Sequence, residues 1–139
     1  MKRKRGFLRP YLILVILFAL LGITDTILGF SDIQSNIFTN IFLTLSFLFF
    51  FYNLMALAYF HHHHVETLVF ILPAYHIITY LAFTGIGFYL VFNQLITPSI
   101  ITTLLIITGI SALLELIFAI FMIFHTKCFT SEHVSTQDN

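Results

Sequence analysis

Between Arg9 and Lys127 the chain carries neither Lys nor Arg, and most of this interval is Leu, Ile, Phe and Val. Four stretches within it, approximately residues 11–30, 37–60, 67–92 and 99–124, reach the length of about 20 helical residues needed to cross a hydrocarbon core about 30 Å thick. Strands of a membrane barrel would alternate in polarity over about ten residues, whereas these stretches are apolar nearly all round. The composition agrees: 59% of the 139 residues are apolar and 9% are charged, with a mean hydropathy of +1.00. A globule of this length has too little interior to hide 18 Phe from water. The fold predicted is an all-α integral membrane protein, with four transmembrane helices in an antiparallel up-down-up-down bundle.

Turn-forming residues mark the ends of the spans. Pro10 suits a first helical turn, Ser31 with Asp32 marks a turn, and Thr97 before Pro98 reads as an N-cap followed by a first-turn proline. The links are short, so neighbouring spans run antiparallel. Pro73 falls inside the third span, removes a backbone donor there and predicts a kink. The organisation is then a basic segment (1–10), a four-helix transmembrane domain (11–125) and a polar, mobile tail (126–139).

Lys2, Arg3, Lys4, Arg5 and Arg9 precede the first span and Lys127 follows the last. An even number of spans puts all six cations on one side, which the positive-inside bias identifies as cytoplasmic, in the plasma membrane of a prokaryote. The first span also resembles the front of a secretory signal peptide. Thr24, Asp25 and Thr26 stand where a small-residue cleavage site would be wanted, so the segment is expected to be a retained span.

Ionisable or amide side chains are costly at membrane depth, and away from the first turn of each span the residues that invite an explanation are Asp25, Asn53, His76 and Glu115. At about 1.5 Å of rise per residue, Asn53, His76 and Glu115 each sit about 5 Å to the cytoplasmic side of the midplane, with Asp25 nearer the outer surface. On the fourth span Thr108, Ser111, Ala112, Glu115 and Ala119 form a stripe of small and polar residues suited to close helix packing. His76, Tyr80, Thr84 and Gly87 share a face of the third span, and Gly22, Asp25 and Gly29 a face of the first. His76 and Glu115 are therefore expected to meet inside the bundle, with Asn53 and Tyr80 satisfying their remaining hydrogen bonds, because opposed groups share a proton or pair where a lone charge would be lost.

His61, His62, His63 and His64 close the second span and His125 closes the fourth on the same side. Imidazoles bind divalent metals, but consecutive helical residues point in different directions, so an amphipathic cap at the membrane surface is favoured over a metal site. No other cofactor is expected. The chain has no Gly-rich phosphate loop, no paired Cys and no nucleophile elbow, so nothing points to an enzyme.

Four short-linked spans with an acidic residue late in the last one resemble several families of small four-span membrane proteins, including the DoxX-like group. No residue role is carried over from that resemblance. The function expected first is an accessory or assembly subunit in which the polar level fastens helices. The alternative is a transporter or channel subunit for protons, a metal ion or a small apolar solute, using His76 and Glu115. A cavity reaching that pair separates the two. The partners expected are the lipid bilayer and a second copy or another membrane protein, with no nucleic acid.

Overall fold

The computed structural model describes residues 7–31 and 36–126. They form α1 (Leu8–Phe30), α2 (Asn36–His62), a single 3-10 turn (Thr67–Phe70) that leads into α3 (Ile71–Phe92), and α4 (Pro98–Thr126), with no strand among the described residues. All four helices, the third counted with its 3-10 turn, are long and apolar enough to cross a membrane. Lys2, Arg3, Lys4, Arg5, Asp32, Lys127 and the tail after it lie outside the described residues.

Local chemistry accounts for the helix ends. Pro98 opens α4, where its missing N–H is unneeded, and Thr97 caps it: its Oγ1 accepts from the Ile100 backbone N–H at 3.3 Å. The helix α2 closes in a Schellman motif, with the N–H of Val65 on the Phe60 carbonyl and that of His64 on the His61 carbonyl. The same pair of bonds closes α3, from Leu95 to Leu90 and from Gln94 to Val91. In each motif the left-handed residue is not glycine: His64 has φ 49° and Gln94 φ 53°. Pro73 differs from its expected role. It lies in the first turn of α3, just after the 3-10 turn, so the missing donor falls where none is required and the irregularity is a 3-10 to α junction instead of a mid-helix kink.

The most extensive pairings are α1 with α4 and α2 with α3. Small residues let α1 and α4 approach closely. A Cβ added at Gly22 would lie 3.2 Å from Ala112 Cβ, and one added at Gly109 would lie 2.8 Å from Thr26 Cγ2. The pairing therefore matches Gly22 with Ala112 and Thr26 with Gly109.

The bundle is packed at one end and open at the other. Its core cluster takes Leu8, Tyr11, Leu12 and Val15 from α1, Phe49, Ala56 and Phe60 from α2, Val69 and Leu72 from the 3-10 turn and α3, and Ala119 and Met122 from α4. Beyond this plug the helices bound a cavity instead of a core. The outward faces carry Ile, Leu and Phe, with Ile37, Ile78, Leu81 and Phe92 each more than half exposed.

Candidate functional site

Where the plug gives way to the cavity, His76 projects from α3 and Glu115 from α4. His76 Nδ1 and Glu115 Oε1 lie 3.1 Å apart, and each residue is 6% exposed. The imidazole is held edge-on between two rings, Phe49 at 4.6 Å and Phe18 at 5.3 Å between centroids. Nearby, the Tyr75 hydroxyl lies 2.8 Å from Ser111 Oγ, bracing α3 against α4.

Next to this pair lies a cavity of about 760 Å³, bounded by all four helices. His76 and Glu115 line it at the plug, and Asp25, Thr84 and Thr108 contribute polar groups farther along. The rest of the wall is largely aromatic and aliphatic, including Phe18, Phe42, Phe83 and Phe88. The lining residues come from 18–25 of α1, 39–46 of α2, 76–91 of α3 and 104–115 of α4, so each helix gives one segment to the plug and another to the cavity.

The structure thus brings His76 and Glu115 together and puts Asp25 and Tyr80 on the wall of the same cavity. Tyr80 makes no hydrogen bond to the pair. It stacks on Phe50 at 4.8 Å between centroids.

Asn53 goes elsewhere, which corrects the expectation of a single polar level. It is fully buried inside the plug, where its Oδ1 accepts from the Tyr11 hydroxyl at 2.7 Å and its Nδ2 donates to the Phe49 carbonyl at 2.8 Å. The ring of Phe49, one turn before Asn53, occupies the place beside His76. Tyr11 was the residue missed. Its position near a span end reads as an interface anchor, yet it is completely buried. The signal was its spacing, since Leu8, Tyr11, Leu12, Val15, Ala19 and Gly22 fall on one helical stripe and all are buried.

The histidines at the plug end do not converge. His61, His62, His63 and His64 are exposed, and His63 stacks on Tyr59 with its Nδ1 2.9 Å from the Tyr59 carbonyl oxygen. His125 Nε2 lies 3.6 Å from Glu66 Oε2. Among the described residues no group of three or more His, Cys, Asp or Glu side chains is arranged to hold a metal ion.

No family model, curated protein or solved structure matches the chain.

Proposed function

We propose that the chain is an integral membrane protein that threads the bilayer up, down, up and down, and that its cavity receives a small, mostly apolar solute, as the binding subunit of a transporter or channel-type assembly. The observation that carries this reading is the cavity itself, about 760 Å³ in volume, with its polar end at His76 and Glu115. That volume falls in the range of about 300–1,000 Å³ typical of small-molecule sites, as does a wall that is mainly apolar with a few convergent polar groups. Dense packing around the pair would have favoured a fastening role alone, and it occurs only on the plug side.

The antiparallel course is supported by pairings that run in opposite directions along the chain, Gly22 with Ala112 and Thr26 with Gly109 on one side of the bundle, and Phe50 with Tyr80 and Phe60 with Phe70 on the other. The plug lies at the end where Arg9, the histidine run and His125 gather, so the positive-inside bias makes that end cytoplasmic and opens the cavity toward the outer side. A static pore is not favoured, because the plug closes the path. Passage of a solute would require the Tyr11–Asn53 bond to part.

The accessory-subunit reading draws on the Tyr11–Asn53 and Tyr75–Ser111 bonds, which fasten helices without any solute. The two readings separate in a binding experiment. Gly87 lines the cavity, and a Cβ added there meets nothing within 4 Å, so Gly87→Trp fills the space without a clash at its base. The purified protein in lipid nanodiscs is expected to bind 2-isopropenylnaphthalene saturably, and Gly87→Trp to abolish that binding while folding normally. Absence of saturable binding by the unaltered protein overturns the proposal.

A further inference from the structure

His76 has two ring nitrogens, and its contact with Glu115 accounts for one. Nδ1 faces the carboxyl group, while Nε2 is buried without a hydrogen-bond partner among the described residues. Unpaired polar atoms are rare in native interiors and call for an explanation. His76 also lines the cavity, so the residue that carries the unmatched atom belongs to the wall of a space large enough for a ligand.

The proton count of the pair determines what Nε2 offers. The surroundings are mainly Phe and aliphatic side chains, and the sequence has no Lys or Arg between Arg9 and Lys127 to offset a buried charge. The pair is therefore favoured in a form with no net charge. Two forms meet that condition while giving the acid proton or the carboxylate its partner in His76. In one, a protonated Glu115 donates to Nδ1 of a neutral imidazole, whose single ring proton must then sit on Nε2. In the other, a Glu115 carboxylate accepts from an imidazolium, which carries protons on both nitrogens. Nε2 is an N–H donor in each. It is an acceptor when the pair holds a net negative charge, or when a protonated Glu115 accepts from Nδ1–H and leaves its own acid proton without His76 as partner.

Resting on the reading of the cavity as a solute site, we propose that His76 Nε2–H is its hydrogen-bond donor, and that the solute is a neutral molecule with an apolar body and a carbonyl oxygen that accepts this proton. Phe18 packs against the imidazole at 5.3 Å between centroids and shares the cavity wall with it. It is half-buried, lines the cavity and lies edge-on to the His76 ring, whereas Phe49 belongs to the buried plug. A turn of the Phe18 ring is the route proposed for the oxygen to reach the buried Nε2. Two sources could supply such a molecule, a free ketone-like solute or the ester carbonyl of a membrane lipid.

The test compares two probes of matched shape, 2-acetylnaphthalene and 2-isopropenylnaphthalene, on the full chain in nanodiscs of ether-linked phospholipid, with affinities referred to concentration in the lipid phase. The ketone is expected to bind about tenfold more tightly, the worth of one hydrogen bond to a buried donor. His76→Phe should abolish the preference, so that the ketone binds no more tightly than the hydrocarbon. In 15N spectra of histidine-labelled protein, the Nε2 signal lost in that variant should be that of a protonated nitrogen. Equal binding of the two probes by the unaltered protein, or an unprotonated Nε2, overturns this inference while leaving the cavity reading intact. Failure of both probes to bind removes the two together. Weaker ketone binding in ester-linked lipid, with the tenfold preference kept in ether-linked lipid, supports the inference with the lipid as occupant, and equal ketone binding in the two lipids supports it with a free solute.

Discussion

Tyr11 and Asn53 show how much a single pair can decide at the closed end of the bundle. The Tyr11 hydroxyl donates to Asn53 Oδ1 across two helices, and both residues are fully buried. Tyr11→Phe strips that oxygen of its donor and is expected to cost about 1–2 kcal/mol in unfolding of the purified protein in detergent. Adding Asn53→Leu should recover much of the loss, because removing both polar partners is far cheaper than stranding one. A different residue-scale cost sits at His64. Its φ of 49° is left-handed backbone that a β-carbon disfavours, so His64→Gly is expected to raise stability by about 0.5–1 kcal/mol in the same assay. The imidazole lost is exposed, and the Schellman bonds that close α2 are made by backbone.

Among the elements, α1 and α4 depend most on small residues. Thr26 is held by a hydrogen bond from its Oγ1 to the Gly22 carbonyl at 3.0 Å, so its methyl group cannot easily yield to a β-carbon arriving from Gly109. Gly109→Ala is therefore expected to destabilise the pair by about 1–3 kcal/mol, as overpacking does. Thr26→Ser, which keeps the hydroxyl and deletes the methyl, should rescue it, and thermal unfolding of the single and double variants checks both statements.

Helical spacing made the packing stripe of α4 legible beforehand, and with it the side of the helix that carries Glu115. It did not place Asn53. Rise per residue gives a depth within one span but not the tilt and slide of its neighbours, and an error of one turn, about 5.4 Å, set Phe49 where Asn53 was expected. The cavity was not legible in the sequence either, since its volume depends on how far two helix pairs stand apart. The 3-10 turn before α3 was foreshadowed by Pro73 only as an irregularity.

For the molecule as a whole, the proposed course through the bilayer is open to direct labelling. With Cys128→Ser as background, Ser31→Cys and Gln94→Cys are expected to react with a membrane-impermeant maleimide from outside intact cells, and His62→Cys only after the membrane is opened. The reverse pattern would invert the orientation, and a mixed pattern would break the up-down course.

The uneven packing along the bundle also has a mechanical meaning. Tyr11, Phe60, Leu72 and Met122 knit the four helices together at one end, and among the described residues no comparable knot lies where the helices flank the cavity. A structure tied at one end has its pivot there. Under the proposed solute role, the α1–α4 and α2–α3 pairs would swing about that pivot like the jaws of a clothes-peg, adjusting their grip to guests of different girth while the spring end stays shut.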